Sequence, residues 1–275
     1  MNLTMDETFI CKAIFSDIDG TFLTPEQTVS DKTKACLARH ADIPFILVSG
    51  RMPTSIRTIQ RESGLCAPLI AYSGALAWDE NGAVLYDKAM TLATAVSLRE
   101  KIRSGFPETV SYTFSNDDWI TDIDDGTAAL YLEKETTAKR PLVGQPEQVL
   151  KPSDPVHKIL CAGEPDLIDA LENSLKPEFP QCTIFKSQAR YLEIMARAAS
   201  KSAAAAALCD LYGIGRGDVV AFGDNFNDVD LLQFAGTGVA MGNAPDAVKA
   251  AADLVAPSNA EDGLAVVLDS LLQGK

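Results

Sequence analysis

Through the first 75 residues, short apolar runs alternate with amphipathic stretches, the pattern of βαβ units feeding a parallel sheet. Cys11 to Ser16 reads as a buried strand. Ser30 or Asp31 caps a helix running to about His40, and Phe45 to Val48 forms a second strand. Pro53 takes the first position of the next helix, which Gly64 closes. Leu69 to Tyr72 makes a third strand. Ala75 to Asp79 and Val84 to Asp87 flank Asn81-Gly82, a dipeptide that predicts a hairpin with a type I′ turn.

From Thr91 to about Gln188 the order changes to helix, two strands around Asn116-Asp117-Asp118, helix, strand at Val156 to Cys161, helix, and strand at Cys182 to Phe185. That is α+β order, and it predicts antiparallel pairing. Pro141, Pro146, Pro152 and Pro155 mark a loop in its middle. Tyr191 to Met195 alternates like a strand and reads as the return from this segment. The βαβ pattern then resumes. An alanine-rich helix runs from Ser200 to Tyr212, followed by strands at Val219 to Phe222, Thr237 to Met241 and Leu254-Val255. Helices at Asn227 to Phe234, Pro245 to Ala252 and Glu261 to Leu272 alternate with them. The expected organisation is one split α/β domain, residues 1–86 and 191–275, enclosing an inserted domain at 87–190. Gly213-Ile214-Gly215-Arg216-Gly217 is not a dinucleotide loop, because it follows a helix and precedes a strand. It reads as a helix-ending turn.

Charge narrows the partners. With 24 basic and 38 acidic residues the net charge is −14, which repels nucleic acid and anionic membrane surfaces. No run is long and apolar enough for a membrane span, and Met1 to Ile10 lacks the basic flank and apolar core of a signal peptide, so a cytoplasmic location is expected. The sequon Asn2-Leu3-Thr4 has no meaning without secretion. The six cysteines show no C-x-x-C, and they read as reduced, mostly buried residues. His40 and His157 stand far apart and leave a zinc site of the usual spacing little to build on. An anionic small molecule remains possible where a local cation or metal ion overrides the global field.

The candidate chemistry collects where strands end. The first strand runs into Asp17-Ile18-Asp19-Gly20-Thr21, placing two carboxylates at the edge where open parallel sheets bind ligands. The second strand ends in Ser49-Gly50-Arg51. A later one ends in Gly223-Asp224-Asn225-Phe226-Asn227-Asp228, and Lys201 opens the helix before it. Each has a bland reading: Asp17 and Asp19 as turn caps, Ser49 as a helix cap, Asp228 as an acid at a helix N-terminus, Lys201 as a solvated charge. Their convergence on one sheet edge is the stronger signal.

In D-x-D-G-T at Asp17 to Thr21 and G-D-x-x-N-D at Gly223 to Asp228, with Ser49 and Lys201 between them, the chain resembles the haloacid dehalogenase superfamily over its whole length. It is most similar to the Cof-type, sugar-phosphatase-like branch with a C2-type cap. The resemblance implies a Rossmann-like parallel-sheet core with an inserted α+β cap, and a Mg²⁺-dependent phosphatase acting on a small phosphorylated metabolite such as a sugar phosphate or phosphorylated cofactor. It implies Asp17 as the nucleophile that becomes an aspartyl-phosphate, Asp19 as general acid and base, and Lys201 as countercharge. Ile18, Ser49, Gly50 and Asn227 would hold phosphate oxygens. Mg²⁺ would be held by Asp17, Asp19 through its backbone carbonyl, Asp224, and Asp228 through water, unless Asp228 instead orients Lys201. Asn225 falls to the same loop with a less definite role.

Two positions depart from the family pattern: Ser202 stands where many relatives have Gly, and Ser73 where many have Asn. Asn243 is expected either on the phosphate side or as a cap before Pro245. In the cap, Asn116 to Trp119 and Lys186 to Arg190 are polar clusters for which substrate contact and a solvated turn are both open readings. A phosphomutase or phosphotransferase on the same fold and a non-catalytic metabolite-binding protein are the alternative functions.

Overall fold

A computed structural model of the protein describes residues 10–122 and 139–272. The sequon and the rest of the first nine residues lie outside them. The first βαβ units form as the periodicity predicts. Strand β1 is Ala13–Ser16, helix α1 Asp31–Arg39, strand β2 Phe45–Val48, helix α2 Pro53–Ser63 and strand β3 Leu69–Ala71. Ser30 is the α1 cap, its hydroxyl accepting from the Thr33 amide at 3.0 Å. Strands β4 (Leu76–Trp78) and β5 (Val84–Asp87) follow, β4 antiparallel to β3. Their turn is not type I′. Only Gly82 of the Asn81-Gly82 pair has positive φ, at 89°, and the Asp79 carboxylate instead accepts from the amides of Asn81 and Ala83. An Asx-type side-chain bond has replaced the left-handed asparagine.

The inserted unit holds helix α3 (Leu92–Gly105), strands β6 (Val110–Ser115), β7 (Asp118–Thr121), β8 (Leu142–Val143) and β9 (Lys158–Ala162), helix α4 (Pro165–Glu178), and strands β10 (Cys182–Gln188) and β11 (Tyr191–Ala196). The sheet order is β10-β11-β9-β6-β7-β8, antiparallel except between β7 and β8. One core packs its helices on the sheet: Leu98 and Ile102 of α3 and Ile168, Leu171 and Leu175 of α4 close on Ile159, Cys161, Leu192 and Ile194. The expected boundary at 190/191 therefore cuts a hairpin. Strand β11 pairs with both β10 and β9, and this unit continues to Ala199. It takes in 87–199 together with Arg51–Ser55.

The chain then completes the first sheet with helix α5 (Lys201–Tyr212), strand β12 (Val219–Gly223), helix α6 (Val229–Phe234), strands β13 (Thr237–Ala240) and β14 (Leu254–Val255), and helix α7 (Gly263–Leu272). Gly213 ends α5 in the left-handed conformation, as its glycine-rich sequence predicts. The sheet order is β14-β13-β12-β1-β2-β3-β4-β5, and all neighbours from β14 to β3 are parallel. Phe15, Val48, Ala221 and Ala240 bury one of its faces under Ala204, Ala205, Leu208 and Leu231. The fold is α/β: a Rossmann-like parallel-sheet core and a separate α+β cap. Among the described residues no helix is long and apolar enough to cross a membrane.

Candidate active site

Strand β1 lies between β12 and β2, and the connections leave it in opposite directions, so the crevice beyond its C-terminal end is the topological switch point of the sheet. Asp17 is the first residue past β1, and its amide donates to the Phe222 carbonyl of β12 at 3.0 Å. The chain then turns sharply through Gly20 at φ 84°. A Cβ at Gly20 would sit 2.3 Å from Asp224 Oδ2, so glycine lets the two motif loops meet. Thr21 Oγ1 donates to Asp224 Oδ1 at 2.9 Å.

Lys201 is the first residue of α5, whose cap is Ser200 Oγ accepting from the Ala203 amide at 3.1 Å. Its side chain is 1% exposed, and Nζ lies 2.5 Å from Asp17 Oδ1 and 2.5 Å from Asp228 Oδ1. The other oxygen of Asp228 accepts from the amides of Asp224 at 3.1 Å and Asn225 at 2.9 Å. Asp228 thus holds Lys201 with one oxygen and its own loop with the other. Asn225 turns inward on its own loop, accepting from the Phe226 amide.

Burial, with the Asp228 and Asp224 carboxylates beside it, pushes the Asp17 carboxyl well above the usual range, against the opposing pull of Lys201. Asp224 is pushed up to about 6, chiefly by burial and by Asp228. For Lys201, burial alone would lower the pKa, but Asp17 and Asp228 outweigh it and hold the ammonium above its ordinary range and charged. Two carboxylates thus pair with one lysine, and the third, Asp224, lies beside them. Oxygens of Asp17, Asp224 and Asp228 come within 4.8 Å of one another, an all-oxygen set with excess negative charge that fits a hard divalent cation.

The remaining sequence candidates are placed as follows. Ser49 is buried at the end of β2, its amide donating to Ile70 and its carbonyl accepting from the Ser73 amide, both at 2.9 Å. Ile18 is buried, whereas Asp19 and Asn227 are exposed. Asp19 lies near enough to raise the Asp224 pKa further. Asn243 is not a helix cap. Its Nδ2 donates to the Gly20 carbonyl at 2.9 Å and its Oδ1 accepts from the Asn259 amide at 3.0 Å, bracing the first motif loop. Ser202 donates from both amide and hydroxyl to Asp230 Oδ2, at 3.0 and 2.7 Å, and so ties α5 to α6.

Tyr72 and Ser73, at φ 51° and 50°, precede Gly74 at φ 99°, and a Cβ on Gly74 would lie 2.0 Å from the Ser200 carbonyl and 2.8 Å from the Lys201 amide. This left-handed run seats the end of β3 against the first turn of α5. Neither it nor the Thr21 bond has a local sequence signal, since both depend on segments distant along the chain. In the cap, Lys139 bonds the Asp117 carbonyl and pairs with Asp118, Lys186 pairs with Asp169, and Arg190 with Glu164 at 2.7 Å. Both polar clusters thus have partners within the cap.

A parallel sheet with carboxylates, a buried lysine and a sharp glycine turn at its switch point defines a haloacid dehalogenase-like hydrolase. The family model of that description matches residues 14–268, and the chain belongs to this family. A Haemophilus influenzae protein carrying a provisional phosphatase name is 35% identical over 260 residues, covering 94% of this chain and 97% of its own. Pyridoxal phosphate phosphatase YbhA of Escherichia coli is 28% identical over 280 residues, covering 95% and 98%. A haloacid dehalogenase-like hydrolase from Bacteroides thetaiotaomicron superposes with a TM-score of 0.84 at 25% identity, covering 95% of this chain and 100% of that one. The protein is an enzyme of the phosphoric monoester hydrolase class.

Proposed function

We propose that the enzyme hydrolyses a small phosphorylated metabolite by way of an aspartyl-phosphate on Asp17, with Mg²⁺ as its cation. The observation that carries this reading is the buried Lys201 ammonium shared at 2.5 Å between Asp17 and Asp228 at the sheet's switch point. Uncatalysed phosphate monoester hydrolysis is so slow that enzymes accelerate it by up to ~10²¹, and covalent catalysis divides the barrier. One oxygen of Asp17 attacks phosphorus while the other is held by Lys201, which fixes the carboxylate's direction. Asp19 protonates the leaving oxygen and then takes a proton from the water that releases phosphate. Ser49 and the backbone amides of Ile18 and Gly50 receive the phosphoryl oxygens, with Asn227 at the rim. Asp17, the Asp19 carbonyl and Asp224 would hold Mg²⁺, which when bound offsets the negative charge of nucleophile and phosphate together.

Relatives named as phosphatases of pyridoxal phosphate and of 5-amino-6-(5-phospho-D-ribitylamino)uracil support a small phosphorylated metabolite as the substrate class. The test is free-phosphate release from a panel of such metabolites, with Mg²⁺ and with chelator. Release that needs the metal and vanishes in Asp17→Asn is the expected result. Release that survives Asp17→Asn overturns the nucleophile, and isomerised product without free phosphate overturns hydrolysis.

A further inference from the structure

Helix α1 ends where β2 begins, so its C-terminus stands at the edge of the core sheet opposite the catalytic loops. There Cys36, in the last turn of α1, and His40, the non-helical residue that caps its C-terminus, lie four residues apart in the chain, and α7 packs against α1 with Asp269 beside them. The thiol Sγ, an imidazole nitrogen and a carboxylate oxygen of these residues come within 4.8 Å of one another. His40 Nε2 and Asp269 Oδ1 are 3.3 Å apart, and two ligand atoms on a tetrahedral ion at bonds of about 2.0 Å stand about 3.3 Å apart. Arg39 Nη2 holds Oδ2 of the same carboxylate at 2.6 Å, leaving Oδ1 turned toward the histidine. This is the arrangement of an outer residue that aims a ligating carboxylate. Cys36 is fully buried, while His40 and Asp269 are partly open. A cavity of about 370 Å³, largely apolar, reaches His40 from the side of Leu37, Phe45 and Leu268.

We propose that Cys36, His40 and Asp269 form a second metal site, for a borderline divalent cation of the Zn²⁺ type, that clamps α7 onto α1. One sulfur, one nitrogen and one oxygen select such an ion over Mg²⁺, and a water completes the tetrahedron. As the metal–sulfur bond forms, the Cys36 thiol gives up its proton to solvent. The sequence spacing hid the site because its third ligand comes from a helix more than two hundred residues away.

The test is titration of the metal-stripped, reduced full chain with Co²⁺, whose bond to a thiolate gives a charge-transfer band in the near ultraviolet. We expect the band to saturate at one equivalent, to be displaced by Zn²⁺ but not by Mg²⁺, and to persist in Asp17→Asn, Asp224→Asn and Cys66→Ser. It should vanish in Cys36→Ser. In His40→Gln and Asp269→Asn, whose folding circular dichroism would verify, Co²⁺ affinity should fall at least about tenfold. Absence of the band in the wild type, its survival in Cys36→Ser, or unchanged affinity in both folded ligand variants would overturn the proposal.

Discussion

At the scale of single residues, the site depends on how Lys201 is aimed. Its ammonium is fixed between two carboxylates, and Asp228 can hold it only because that side chain is itself gripped by two amides of its loop. Asp228→Asn should leave the fold standing, since an amide oxygen can still accept one of these bonds, yet it removes half of the lysine's countercharge. We expect kcat to fall by about tenfold or more, read as phosphate release at saturating substrate, with a smaller change in KM. Gly74 acts one step further out. Gly74→Ala adds a methyl group against the Ser200 carbonyl at a φ that alanine resists. It should cost about 2 kcal/mol in denaturant unfolding and lower activity beyond that, because the displaced turn carries Lys201.

At the scale of elements, stability is divided between two cores. Leu171 of α4 is fully buried inside the cap, so Leu171→Ala should destabilise that unit by about 3 kcal/mol, measured by hydrogen exchange of its strands. The loop before α7 has a pH-dependent fastening. The Ser258 hydroxyl and amide donate to Glu261, chiefly the hydroxyl holding that carboxyl below its usual range. A depressed acid contributes fully above its unfolded pKa, and the contribution is lost as pH falls through the folded value. Melting curves of wild type and Glu261→Gln should therefore differ at pH 7 and converge in acid.

Most strands and helices were legible in the sequence because each is a local agreement of periodicity and capping, as at Ser30 and Pro53. The D-x-D-G-T and G-D-x-x-N-D motifs were legible because several chemical types recur at fixed spacing. What escaped depended on distant partners. Asn81-Gly82 carries the signature of one turn, but the Asp79 side chain selects another. Strand β11 has the alternation of a returning strand and lies instead inside the cap sheet, a matter of pairing that one strand's own residues do not encode. For Asn243 the sequence left open a phosphate-side role or a cap before Pro245, and the cap is excluded by partners at positions 20 and 259 that lie far along the chain.

At the scale of the whole molecule, the net charge of −14 opposes the approach of a phosphate monoester. Added monovalent salt shortens the Debye length, to about 8 Å at physiological strength, and screens that repulsion. We expect kcat/KM for a dianionic substrate to rise between ~20 and ~150 mM KCl, while a fall would point to a positive steering patch that overrides the global field.

The place of β1 in the sheet has one more consequence, for synthesis. Its neighbour β2 follows within about thirty residues, but Lys201, which meets Asp17, lies 184 positions downstream, and β12 follows it. While the ribosome makes the cap, the half-built core carries an apolar strand with one open side, and the nucleophile has not yet met its lysine. The newborn chain is therefore most prone to wrong pairing while it is still inactive. Closing that open edge by adding β12 also assembles the catalytic centre, so the maturing polypeptide gains protection and activity in the same event.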